Sequence, residues 1–166
     1  SSDLRFEQYR EQFAFLRDNG ITTRTDMAAF TARTEETLAN LMKQRTVLNV
    51  RRKRRRALYT ALADAEALAP VKELYEAGLS GMETEFAQYM DAVAALEQCG
   101  VPREGLIQEK AELYDRLAEL NRQIRAERRK LALCRKTQNS LPRMEQEIDK
   151  AEARESEVRT NEHRRR

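Results

Sequence analysis

The residues of this chain whose type and spacing could do chemistry are cations. Arg51-Arg52-Lys53-Arg54-Arg55-Arg56 form one unbroken run, and Arg122, Arg125, Arg128, Arg129, Lys130, Arg135 and Lys136 form a second cluster. The chemistry such groups support is phosphate neutralisation, in which each Lys or Arg on a nucleic-acid backbone releases condensed counterions. Contacts of this kind position a protein on the polymer without reading its bases. Six consecutive cations on a helix point around its whole circumference, so some face solvent whatever packs alongside. No aromatic residue is interleaved with the run, so base stacking of the sort that holds single strands is not expected. The candidate nucleic-acid-binding residues are therefore Arg51, Arg52, Lys53, Arg54, Arg55, Arg56, Arg122, Arg125, Arg128, Arg129 and Lys130, with DNA as the expected polymer. The competing expectation is that these cations pair with carboxylates of a neighbouring helix.

Other chemistry finds little to work with. Nucleophilic catalysis needs a nucleophile and a base within hydrogen-bond reach, and the one histidine, His163, lies in a charged tail. The carboxylate pairs Glu35-Glu36 and Glu83/Glu85 fall on helix positions expected to face solvent. There is no glycine-rich phosphate loop, no His and Cys cluster and no acidic calcium loop. Cys99 and Cys134 stand far apart with no second cysteine or histidine nearby, which excludes the common zinc spacings and makes both small apolar residues. No catalytic residue, cofactor or metal is expected. No apolar run approaches the roughly 18 residues that cross a membrane, so a soluble, cytoplasmic protein is expected. The chain opens Ser1-Ser2-Asp3 and reads as a fragment of something larger.

The elements that must position the cations are long helices. Thr23 to about Leu68 contains no glycine and no proline, and the basic run sits at its middle. One helix of that span reaches roughly 65 Å, about twice the diameter of a small domain, so it needs a partner of similar length. The stretch from Gly105 to about Asn139 supplies one, with Leu113, Leu117, Leu120, Ile124, Leu131 and Cys134 at threes, fours and sevens and Glu127 interrupting. Met27, Phe30, Leu38, Leu41, Leu48, Leu58 and Leu62 form the facing stripe, broken at Thr34, Arg45 and Arg52 to Arg55.

The glycines and prolines mark the joints. A first helix from Leu4 to Asn19 carries Phe6, Tyr9, Phe13 and Leu16 on one face and ends at Gly20. Thr23-Arg24-Thr25-Asp26 has the form of a capping box for the first long helix. Pro70 opens a short helix that stops at Gly78, and Ser80-Gly81-Met82-Glu83 offers a second box before a helix with Met82, Phe86, Tyr89, Val93 and Leu96 on one side. This segment is acidic. Between Ala61 and Glu97 eight carboxylates meet Lys72 alone, a charge of minus seven in a chain of plus three, so the remainder totals plus ten. Pro142 is expected to kink or end the second long helix, with Leu141, Met144, Ile148 and Ala151 continuing a weaker stripe and residues 152–166 disordered.

The expected fold is all-α, a long antiparallel coiled-coil helical hairpin with a small acidic helical head inserted at its tip. Its segments are 1–22, 23–68, 69–104, 105–151 and 152–166, the first and last helices meeting at the open end. If Leu62 lies near Leu106 to Lys110, the register places Arg51 to Arg56 opposite Glu112, Asp115 and Glu119, three acids for six cations. The acidic head would repel the polymer that the cations attract and so orient it.

Phe15-Leu16-Arg17-Asp18-Asn19-Gly20-Ile21, the long helix after it, Leu74-Tyr75-Glu76-Ala77-Gly78-Leu79-Ser80 and Leu96-Glu97-Gln98-Cys99-Gly100-Val101 before a second long helix follow in a recognisable order. Together they resemble the helical region downstream of the nuclease domain in relaxase (mobilization) proteins of Firmicutes conjugative elements, over about Phe13 to Ile148. The family nicks one strand at a plasmid's origin of transfer with a tyrosine nucleophile and a histidine-bound metal. That histidine cluster is absent, so the resemblance implies a non-catalytic accessory region that holds DNA or docks other transfer proteins. The acidic head departs from more basic relatives. A purely structural coiled-coil spacer or dimerisation module, with no nucleic-acid role, is the alternative, and a homodimer stays open under either.

Overall fold

The computed structural model describes residues 2–165, without the side chains at positions 2, 144, 145, 147 and 148. It is all-helical, with no strand among the described residues: α1 (Ser2–Asp18), α2 (Arg24–Ala67), α3 (Ala69–Glu76), α4 (Glu83–Gln98) and α5 (Arg103–Arg164). Two compact units divide the chain, one formed by residues 1–39 and 125–166, the other by 40–124. Both boundaries fall inside long helices, where no glycine or proline marks them.

In the first unit, α1 ends where Gly20 takes a positive φ of 64° and Ile21 N–H donates to the Leu16 carbonyl at 2.9 Å. This closure turns Ile21 inward against Leu16, and Ile21 joins Phe15, Met27 and Cys134 in a buried cluster flanked by Phe30 and Leu133. Phe15 meets Phe30 edge-on, ring centroids 5.4 Å apart. Of the four apolar residues on one face of α1, Leu16 packs against this cluster while Phe6 and Phe13 are exposed, and Gln12 and Phe15 are buried.

The capping box at the start of α2 is reciprocal. Asp26 N–H donates to Thr23 Oγ1 at 3.0 Å, and Asp26 Oδ2 accepts from Thr23 N–H at 3.2 Å and from Thr22 N–H at 3.0 Å. These donors hold the Asp26 carboxyl below its ordinary range, the Thr22 amide contributing most. Further along, Thr34 sits buried in the stripe with its hydroxyl turned back onto the Phe30 carbonyl at 2.9 Å, so the polar break is satisfied within α2.

In the second unit, Ala61, Leu62 and Ala65 of α2 pack with Ala92 and Leu96 of α4 and Leu106 of α5. Tyr59, Leu113 and Leu117 form a second cluster with Leu48 against it. Residue numbers rise along α2 as they fall along α5, so the two segments run in opposite directions through this unit, and Leu62 shares a cluster with Leu106. Between α2 and α4, Pro70 lies in the first turn of α3, where its missing N–H has no helical acceptor to serve. Tyr75 of α3 stacks on Phe86 of α4 at 4.0 Å. The second capping box is half made: Gly81 N–H donates to Glu83 Oε1 at 3.3 Å, but Met82 is the N-cap residue and contributes no side-chain bond.

The return helix buries Leu113, Leu117, Leu120, Ile124, Leu131 and Cys134, the whole stripe read from the sequence, together with Leu106 and Thr137. Glu127, the interruption, is bonded to Lys130 at 3.0 Å. Downstream, Pro142, expected to kink or end the helix, lies inside α5, and residues 152–164, expected to be disordered, are helical. Pro142 removes one N–H from an exposed stretch where water can serve the vacated carbonyl, and the tail carries an i,i+4 pair between Glu155 and Arg159 at 2.8 Å. Met144 and Ile148 of the weaker stripe lie outside the described residues.

Candidate nucleic-acid interface

Within the second unit α2 presents the basic run as a helical collar. Arg51, Arg52, Lys53, Arg54 and Arg56 are exposed, and among the described residues none of the five makes an ion pair or a side-chain hydrogen bond. Arg55 is the exception. Its Nη2 meets Glu109 Oε1 at 2.9 Å, and the other carboxylate oxygen accepts the Tyr59 hydroxyl at 3.0 Å. Burial, reinforced by that acceptor, pushes the Tyr59 hydroxyl above its ordinary range and keeps it protonated.

The acids expected opposite the run do not meet it. Glu119 is taken by Arg122 on the next turn of its own helix, Glu112 accepts from Gln108, and Asp115 makes no ion pair among the described residues. With Arg55 beside Glu109 and Tyr59 beside the same carboxylate, the residues facing the start of the run lie near Leu113, where α5 shows its apolar stripe. Among the described residues one of the six cations is therefore ion-paired, and polar pairing along the rest of this seam falls to Arg45 with Asn121 at 3.1 Å and Arg116 with Gln44 at 2.8 Å.

The second cluster divides into bound and free cations. Arg122 is locked in a fork on Glu119, Nε to Oε2 at 2.9 Å, which holds the Glu119 carboxyl low and raises the guanidinium. Lys130 is held by Glu127. Arg125, Arg128 and Arg129 are exposed without ion pairs among the described residues, as are Arg135 and Lys136.

The run has two sides. On one, Arg51, Arg54 and Arg55 border a shallow depression with Val47 and Val50, which are 61% and 45% exposed. On the other, Arg52 and Arg56 share a groove with Tyr59 of α2 and with Lys110 and Tyr114 of α5. No aromatic residue is interleaved with the arginines in the sequence, but packing places Tyr59 and Tyr114 beside them in this groove. Lys110 and Tyr114 are separated from the run by more than fifty positions, and only the antiparallel packing of this unit brings them to it. The spacing Lys110/Tyr114 at i,i+4 was the available signal, but without the register it pointed nowhere.

Among the described residues no group of three or more His, Cys, Asp or Glu side chains could hold a metal ion, and no helix is long and apolar enough to cross a membrane. No protein-family model, curated protein or solved structure matches the chain.

Proposed function

We propose that this chain is the non-catalytic accessory helical region of a conjugative relaxase or mobilization protein, and that it contacts DNA through the phosphate backbone or docks partners of the transfer machinery. The observation that carries the DNA contact is the exposure of Arg51, Arg52, Lys53, Arg54 and Arg56 with no carboxylate paired to any of them among the described residues. Surface cations with carboxylate neighbours are largely neutralised before a phosphate arrives, whereas these five are available. The opposite running of α2 and α5 through the second unit supports the finer architecture that goes with this reading, an antiparallel coiled-coil hairpin with α3 and α4 as an acidic head. The assignment to a relaxase rests on the resemblance in the short glycine-bearing joints.

The direct test is fluorescence anisotropy of a labelled duplex at about 50 mM salt, where six to ten phosphate contacts are strong. The chain is expected to bind, and the variant Arg51→Gln/Arg52→Gln/Arg54→Gln/Arg56→Gln to bind much more weakly at unchanged helicity. Absence of binding by the parent chain to both a duplex and a single strand at that salt rules out the DNA contact.

One observation favours the structural alternative. Val47 and Val50 form an exposed apolar pair beside Arg51 and Arg54, as in a face covered by another chain. Light scattering separates the two readings. A monomer leaves the cations open to phosphate, while a tight dimer that protects them makes the chain a dimerisation module.

A further inference from the structure

The groove between α2 and α5 of the second unit differs in kind from the rest of the basic surface. Its rim is cationic on both sides, Arg52 and Arg56 one turn apart on α2 and Lys110 on α5, and its lining includes two tyrosines. Tyr59 is buried and fixed by its bond to Glu109, so it serves as a rigid wall. Tyr114 is 43% exposed, and nothing among the described residues hydrogen-bonds its hydroxyl. The Lys110 ammonium lies 5.9 Å from the centroids of both rings, at the outer limit of a cation–π contact, so it is loosely held and free to swing to an anion.

We infer that this groove takes one unpaired nucleotide of a nucleic-acid strand, its phosphate between Arg52, Arg56 and Lys110 and its base stacked on Tyr114. The inference rests on the proposed DNA contact and deepens it. A paired duplex offers phosphates to the same cations but keeps its bases inside the stack, so Tyr114 contributes only when a base is unpaired. Arg55 does not take part, because it is paired with Glu109 and borders the depression with Val47 and Val50 instead. Stacking is sequence-tolerant, since every base has a π-face, so the groove discriminates strand state rather than sequence.

The test compares three labelled 16-nucleotide probes, a duplex, a single strand of mixed sequence and the same single strand carrying abasic sites, against the parent chain, Tyr114→Ala and Tyr114→Phe. A base–aromatic stack is worth about 1–3 kcal/mol, so Tyr114→Ala is expected to lose roughly 5- to 150-fold in single-strand affinity. The duplex and the abasic strand offer Tyr114 no base to stack on, so their affinities should stay unchanged. Tyr114→Phe keeps the ring and should bind like the parent. Because Tyr114 is exposed, the variants should keep their helicity, which circular dichroism checks. If duplex binding persists and Tyr114→Ala weakens all three probes equally or none, the inference is overturned while the proposed DNA contact stands. If no probe binds the parent chain, both fall.

Discussion

At the scale of single residues, burial decides which groups can react and which only pack. Cys134 is wholly buried, and burial pushes its thiol above the ordinary range, so the thiolate that would react is scarce near neutral pH. Cys99 is half-buried, with its sulfur near the Leu96 carbonyl at 3.0 Å. Titration with a thiol reagent at pH 8 is expected to modify Cys99 first, and Cys134 only when denaturant opens the first unit. Equal rates for the two would contradict the packing of Cys134 with Phe15, Ile21 and Met27. Both cysteines were legible from the sequence as small apolar residues. The partner of Arg55 was not, because Glu109 lies three, six and ten positions before Glu112, Asp115 and Glu119, and which acid a cation meets depends on side-chain geometry that spacing does not carry.

At the scale of elements, the local signals were the ones the sequence carried best. The Thr23/Asp26 box and the Pro70 start are fixed by residues within one turn of each other, and both form as read. The box has a pH signature. Its hydrogen bonds lower the Asp26 pKa from the ordinary 3.8, so the folded state binds its proton less readily than the unfolded one. The stabilisation is therefore present above the unfolded pKa and is lost as pH falls through the folded one. Thermal melts of the parent and Asp26→Ala are expected to differ most at pH 6, the difference shrinking as pH falls below 3.8. A constant difference across that range would mean that the carboxylate charge plays no part. Where elements pack on one another, a wholly buried residue carries more. Leu106 joins α2, α4 and α5 in one cluster and is 0% exposed, so Leu106→Ala should cost about 2–5 kcal/mol in urea unfolding. A loss under about 1 kcal/mol would mean that this cluster does not hold the second unit together. Which residues of α1 are buried was not legible from spacing, since Phe15 and Gln12 are covered by residues from other elements while Phe6 and Phe13 stay exposed.

At the scale of the whole molecule, the all-helical class and the helical joints could be read from glycine and proline placement, whereas the division into two units could not. That division cuts α2 and α5 at positions where the sequence keeps its helical pattern without interruption. The charge layout was legible in outline: a segment of minus seven between Ala61 and Glu97 and a remainder of plus ten. What the sequence could not supply was which cations stay free, because that depends on the neighbours brought by the packing of α2 against α5. The central claim is that the free ones contact DNA phosphates, and the salt dependence of duplex affinity tests it most directly. Log affinity plotted against log salt should fall with a slope of about −0.9 per phosphate contacted. Removing four contacting cations in Arg51→Gln/Arg52→Gln/Arg54→Gln/Arg56→Gln should therefore flatten that slope by up to about 3.6. A parent slope near zero, or one that the variant leaves unchanged, would contradict the assignment and leave the basic run as a solvated face.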